Sequence, residues 1–258
     1  MPSDSVWQGA GLTDQGLVRA SNQDMLAVLN HLRLWVVADG MGGKAGGEVA
    51  SRLAVDAVTR HIEAQAGQGT DDETLLCQAV EGAQQAVLQE ARARPELTGM
   101  GTTLVILRIS LGPPAHATIA HVGDSRAYCF RKGSLTPLTR DHSLVEEYVQ
   151  RGVLTAARAL THPMRHVLSR AIGLPPGAPP AVTRYDLQPE DLVMLCTDGL
   201  TKMVDDQGIA ETLLGAPRSP ETVCRSLVKE AIQRGGHDNV TVVVCAGRRE
   251  LPPGPQTD

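Results

Sequence analysis

Apolar residues in this chain gather in short runs that end in polar punctuation. Met25–Leu29 and Leu32–Val37, on either side of Asn30-His31, read as two antiparallel strands. Trp7–Thr13 and Leu17–Arg19 flank Asp14-Gln15-Gly16, a turn signal that predicts a hairpin. From Glu48 to Gln65 the period changes, with Val49, Leu53, Ala57, Val58 and Ile62 on one helical face. Gly67–Thr70 breaks that helix, and Asp71 or Asp72 caps a second one running to about Arg94. Thr102–Ser110, His116–Val122 and Arg126–Arg131 alternate with turns and predict an antiparallel meander. Leu144–Arg151 is helical, Gly152–Pro163 reads as a mobile excursion, and Leu174–Pro180 is a proline-rich loop. Val182–Asp186, Leu192–Cys196 and Val240–Cys245 follow as strands, with helices at Ile209–Leu214 and Pro220–Arg234. Leu251–Asp258 reads as a disordered tail. Strands in blocks and helices in pairs predict sheets packed together with helices outside.

Composition narrows the chemistry. At 258 residues the chain fits one large domain or two small ones, and 2 % aromatics leaves a core of Ala, Val, Leu and Ile. A net charge of −5 without a basic run argues against nucleic acid as a partner. No segment approaches a membrane span, and the acidic start Met1–Asp4 is unlike a signal peptide. The five cysteines (77, 129, 196, 224 and 245) are widely spaced, without a C-x-x-C pair. They read as small buried hydrophobes in a reducing compartment, so a cytoplasmic location is expected. Neither a C-x₅-R phosphate cradle nor a Gly-Lys-Ser/Thr loop is present.

The run Leu34–Val37 ends in Ala38-Asp39-Gly40-Met41, followed by the glycine cluster Gly42–Gly47. Asp198-Gly199 repeats the pattern after Leu192–Cys196, and His237-Asp238-Asn239 precedes Val240–Cys245. Asp-Gly alone is a common turn dipeptide. Three carboxylates at the ends of buried strands, far apart in sequence, instead suit a hard cation such as Mg²⁺ or Mn²⁺. A rival reading takes Gly40-x-Gly42-x-x-Ala45 as a dinucleotide fingerprint with Glu63 as its ribose acid. Glu63 falls inside a predicted helix, and Asp39 would set a negative charge beside the pyrophosphate.

Six motifs in order resemble the metal-dependent serine/threonine protein phosphatases, the PPM or type 2C family. They are Arg19-Ala-Ser-Asn-Gln-Asp24, Asp39-Gly-Met-Gly-Gly43, Gly101-Thr102-Thr103, Gly123-Asp124-Ser125-Arg126, Asp198-Gly199-Leu200 and Asp238-Asn239-Val-Thr241. The resemblance runs from about Gly9 to Ala246. It implies an α+β four-layer sandwich, two antiparallel β-sheets packed face to face with helix pairs outside. It also implies one catalytic domain over residues 7–247 with a flap at about 143–168, flanked by tails at 1–6 and 248–258.

The implied activity is hydrolysis of phosphoserine and phosphothreonine in proteins by a metal-bridged hydroxide, opposing serine/threonine kinases. The cofactors would be two tightly bound Mn²⁺ or Mg²⁺ ions and a third, weaker one. By position, Asp39 would bridge the pair, Asp198 and Asp238 would hold one ion and the Gly40 carbonyl the other. Asp124, with Asp198, would hold the third. Asp24 would orient metal-bound waters, and Arg19 would clamp the phosphate with its planar fork. A monomer acting on phosphorylated proteins is expected, and the alternative from another class is a non-catalytic phosphoprotein-binding regulator of the same fold.

Gly101-Thr102-Thr103 and Ser125-Arg126 read as supports, and neither His142 nor His237 is expected to ligate metal. Two positions depart from the family pattern. Gln23 stands where many relatives carry Glu, and Met41 where eukaryotic members carry a histidine thought to protonate the leaving oxygen. A metal-bound water is then expected to deliver that proton, with His142 and His166 as the side-chain alternatives.

Overall fold

Alternate residues of the central strands go to opposite sides, and each side meets a different partner. On β3 (Leu34–Met41), Leu34, Val36 and Ala38 join one apolar cluster while Trp35 and Val37 join another. The same division recurs on β5 (Leu104–Ser110), β7 (Arg126–Arg131), β10 (Leu192–Cys196) and β11 (Val240–Arg249). The structure, a computed structural model, describes residues 5–174, 177, 179–216 and 219–249.

Two antiparallel sheets result. One has the order β1 (Ser5–Asp14), β11, β10, β7, β8 (Ser134–Pro137). The other runs β2 (Asp24–Leu29), β3, β5, β6 (His116–Val122), β9 (Ala181–Asp186), with the two-residue β4 (Gly101–Thr102) paired to β3. Their facing sides share a core that includes Trp7, Trp35, Val105, Leu195 and Val243. Outside the second sheet lie α1 (Gly43–Ala64) and α2 (Asp72–Ala93), whose Ala50, Ala54, Ala79 and Ala83 are fully buried. Outside the first lie α6 (Asp206–Gly215) and α7 (Pro220–Gln233). Helix, sheet, sheet, helix is the expected four-layer order.

Several boundaries differ from the sequence reading. The hairpin after Asp14 does not form, because β1 pairs along its whole length with β11 instead. Gly16 takes φ +77°, its N–H donates to Asp14 Oδ1, and Leu17 N–H donates to the Gly236 carbonyl, which sends the chain away from its own strand. The predicted meander is also divided. β5 and β6 pair in one sheet, whereas β7 pairs with β10 in the other, so the chain changes sheets at Gly123-Asp124-Ser125. Helix α1 begins at Gly43, inside the glycine cluster that reads as a loop. Asp71 does cap α2, accepting from Thr74 N–H at 2.9 Å. The segment expected to form the flap carries α3 (Leu144–Gln150) and α4 (Ala156–Ala159), and the one-turn helix α5 (Asp198–Thr201) follows β10. The expected tail Leu251–Asp258 lies outside the described residues.

Candidate metal centre

At one end of the molecule the layer between the sheets changes from apolar to polar. Asp24 and Asp39 lie directly opposite each other in the β2–β3 register, so both carboxylates belong to the inter-sheet side. From the other sheet come Thr197, just past β10, and Thr241 on β11. Both hydroxyls donate to Asp24 Oδ2, at 2.9 and 2.6 Å. Asp24 Oδ1 is buried without a partner.

The backbone of Asp39 is fastened on both sides. Its N–H donates to Thr103 Oγ1 at 2.9 Å, and its carbonyl accepts from Thr103 N–H and Thr102 Oγ1, each at 2.9 Å. The Thr103 hydroxyl also bonds Ser125 Oγ at 2.7 Å, which ties the turn before β7 into the same support. Gly101-Thr102-Thr103 and Ser125 are therefore supports, as their positions suggest.

The Asp-Gly pairs are not ordinary turns, since neither Gly40 nor Gly199 has a positive φ. A Cβ at Gly40 would lie 2.1 Å from the Gly47 carbonyl oxygen, and one at Gly199 only 1.9 Å from the Asn239 oxygen. Each glycine is there for close backbone approach beside the aspartate. Asn239 fixes the adjoining loop: its side-chain N–H₂ donates to the Gln15 and Ser21 carbonyls, and its Oδ1 accepts from Gln23 N–H, all at 2.9 Å.

Asp198 and Asp238 are held by cations. Lys202 Nζ is 2.5 Å from Asp198 Oδ2 and 3.1 Å from Asp238 Oδ2. Arg19 grips Asp238 with both arms of its fork, Nε to Oδ1 and Nη2 to Oδ2, each at 2.8 Å. Asp198 Oδ1 has no partner. Asp124 joins the group from the turn where the chain crosses between sheets, and it lines a cleft of ≈ 650 Å³ with Asp198, Lys202, His166 and His237. Leu160 and Arg165 of the flap line the same cleft.

Charge follows from this packing. Burial, then repulsion from Asp24 and Asp198, pushes Asp39 well above the ordinary carboxylate range. Burial is also the first cause at Asp24 and Asp124, each pushed up to about 7, with Asp198 adding repulsion at both. Asp198 is raised by burial against the pull of Lys202. Asp238 is the exception: burial would raise it, but Lys202 and Arg19 together hold it below the usual value.

Among the described residues, no three His, Cys, Asp or Glu side chains stand in ready metal-holding geometry. Lys202 and Arg19 sit among the carboxylates as counterions of Asp198 and Asp238. The donor set nevertheless suits a hard divalent cation. It is all oxygen, two buried carboxylate oxygens lack partners, and four of the five carboxylates carry a charge that burial makes costly.

The sequence-predicted residues Arg19, Asp24, Asp39, Gly40, Asp124, Asp198 and Asp238 are thus brought to one end of the sandwich. His142 is turned to another task. Its Nδ1 accepts from Gly123 N–H at 3.2 Å, its ring stacks on His121 at 4.5 Å, and burial and His121 lower it to about 4. His166 is exposed in the cleft. The dinucleotide rival fails, because α1, which contains Glu63, leads into α2 and not into a parallel strand. Lys202 escaped the sequence reading; its spacing of four from Asp198 was the available signal.

Comparison with known proteins agrees with this geometry. The chain is 39 % identical over 240 residues to the serine/threonine protein phosphatase PstP of Mycobacterium tuberculosis, covering 93 % of this chain and 45 % of that protein. It thus spans about half the length of that relative. Against the serine/threonine phosphatase stp of Listeria monocytogenes the identity is 33 %, covering 90 % of this chain and 92 % of the relative. The catalytic domain of PstP in complex with two manganese ions superposes with a TM-score of 0.83 at 35 % identity, over 95 % of this chain and 99 % of that one. Residues 17–230 match the model of the protein phosphatase 2C family, and with the six motifs gathered at one end of a two-sheet sandwich the chain belongs to that family.

Proposed function

We propose that this chain hydrolyses phosphoserine and phosphothreonine monoesters in proteins, with Mn²⁺ or Mg²⁺ as cofactor, and so opposes serine/threonine kinases. The observation that carries the reading is the gathering of five mutually interacting carboxylates from both sheets at one end of the sandwich, beside two cationic side chains. Asp39 and the Gly40 carbonyl, with Asp198 and Asp238, would hold a pair of ions, and Asp124 with Asp198 a third. Such ions, when bound, neutralise phosphate charge and lower the pKa of water into the neutral range.

The chain's own residues supply the rest. Arg19 offers a planar fork that matches two phosphate oxygens, and it is 52 % exposed, free to turn from Asp238 to a substrate. The two threonine hydroxyls fix Asp24, so its free oxygen can orient water beside the ions. Met41 presents a thioether and cannot donate a proton, and His142 is committed to Gly123. Water in the site is the proposed source of the leaving oxygen's proton, with His166, exposed in the same cleft, as the side-chain alternative. Leu160 and Arg165, in the expected flap at about 143–168, line the cleft, which supports a role for that segment in selecting among phosphoproteins.

A monomer in a reducing, cytoplasmic setting is part of this reading, supported by five cysteines that form no disulfide. No helix among the described residues is long and apolar enough to cross a membrane. A non-catalytic regulator of the same fold has less support, since phosphoprotein binding alone does not require Asp39, Asp198 and Asp238 together. Turnover of a phosphothreonine peptide tests the choice. Chelator is expected to abolish it and Mn²⁺ to restore it; full turnover in excess chelator overturns the reading.

A further inference from the structure

Lys202 sits one turn after Asp198, on the residue that closes α5, and its ammonium is shared between Asp198 Oδ2 and Asp238 Oδ2. The bracket is tight and partly shielded: both carboxylates are 16 % exposed at the side chain and the lysine 29 %. These are also the two carboxylates that would hold one divalent ion together. A divalent ion entering between Asp198 and Asp238 would compete with the ammonium for the charge of these two carboxylates and be repelled by it. A lysine is suited to leaving, because its charge is compact, strongly hydrated and carried on a flexible four-carbon stem.

We propose that Lys202 is a built-in cation that competes with an incoming divalent ion for Asp198 and Asp238, so that this side chain tunes the affinity of that ion. The inference rests on the proposed metal-dependent reading and adds a residue that tunes it. Lys202 offsets the mutual repulsion of Asp198 and Asp238, and in doing so it lowers the fraction of molecules whose ligands are free. Apparent affinity falls in proportion to that fraction. Asp238 is shared with Arg19, so the same exchange also decides when the phosphate clamp has a competing partner.

Calorimetric titration of chelator-stripped protein with Mn²⁺ tests this, comparing wild type with Lys202→Met, Lys202→Gln and Lys202→Arg. The two neutral variants are expected to bind one Mn²⁺ about tenfold more tightly, as freeing a pair that is roughly nine-tenths occupied would do. Lys202→Arg keeps the charge and should stay near wild type. Thermal melting supplies a second readout: the neutral variants should melt lower than wild type without metal and lose that deficit at saturating Mn²⁺. Unchanged or weaker Mn²⁺ binding in both neutral variants overturns this inference alone. A wild-type protein that binds no Mn²⁺ overturns the proposed function with it.

Discussion

Asp39-Gly40 and Asp198-Gly199 share a sequence pattern, a strand end and a glycine squeezed against backbone, yet their charges are managed in opposite ways. Asp39 belongs to the six-stranded sheet and faces other carboxylates, with hydrogen bonds spent on its backbone alone. Asp198, with Asp238 beside it, belongs to the five-stranded sheet and is gripped by Lys202 and, through Asp238, by Arg19. Among the described residues, one sheet therefore brings carboxylates without an ion-pair partner and the other brings carboxylates with their own counterions. A divalent ion placed between them would neutralise the first and have to compete on the second.

The largest test of this contrast compares Asp39→Asn with Asp238→Asn. Both are expected to lose more than about 100-fold in turnover, since a ligand matters at least as much as the groups that orient it. Metal-free stability should separate them. Asp39→Asn removes a buried carboxylate that has no ion-pair partner among the described residues and should melt at or above wild type. Asp238→Asn strands Arg19 and leaves Lys202 with Asp198 alone, and should melt a few degrees lower, the effect of about 1–2 kcal/mol in a domain of this size. Equal destabilisation by both would break the comparison.

The same contrast has a pH signature. Asp24 and Asp124 keep their protons in the folded chain up to about 7, whereas unfolded aspartates lose theirs near 4. Asp39 and Asp198 are shifted in the same direction. The contribution of Asp24 and Asp124 to stability is complete below about pH 4 and is lost as pH rises through about 7, and Asp39 and Asp198 act in the same direction. Asp238, held low, contributes above about pH 4 and loses that as pH falls through its depressed value. Metal-free protein should thus melt higher at pH 5 than at pH 8, and saturating Mn²⁺ should flatten the difference. A melting temperature that rises over this range without metal would contradict the assignment of uncompensated charge.

Smaller effects sharpen the picture. Asp124→Ala should lower turnover by about tenfold while calorimetry still counts two tightly held ions; loss of the tight pair would move Asp124 into the principal site. Met41→Ala should change phosphothreonine-peptide and aryl-phosphate turnover by similar, small factors. Proton delivery is commonly worth 10²–10⁴-fold on a poor leaving group. A strong, peptide-selective loss in His166→Ala would therefore assign that role to the exposed histidine and not to water.

The carboxylates were legible because burial and alternation leave a clear trace: an apolar run must stop where a charge begins. Helices α1 and α2 were legible from period alone, although Gly43–Gly47 hid the start of the first. What alternation cannot express is which sheet a strand joins. β6 and β7 have the same pattern on either side of Gly123-Asp124-Ser125, yet they belong to different sheets. The failed hairpin has a similar cause, since the rival partner for β1 lies 228 residues away at Thr241. Lys202 was hidden by its ordinariness, because an acid and a base four apart on a helix usually form only a weak surface pair.

The pairing of β1 with β11 has a consequence for biosynthesis. The first described strand finds its partner only after Val240–Arg249 has left the ribosome, and the same late segment follows directly on Asp238 and Asn239. Until then Ser5–Asp14 is an unpaired edge, and the loop that carries Arg19 lacks the Asn239 amide that ties Gln15, Ser21 and Gln23 together. Such long-range closure slows folding and extends the time a nascent chain exposes strand backbone. It also makes the molecule self-proofing: a product terminated before Val240 lacks the strand that completes one sheet, and one ended before Asp238 lacks that carboxylate as well. Truncated chains should therefore be insoluble or inert, not partially active.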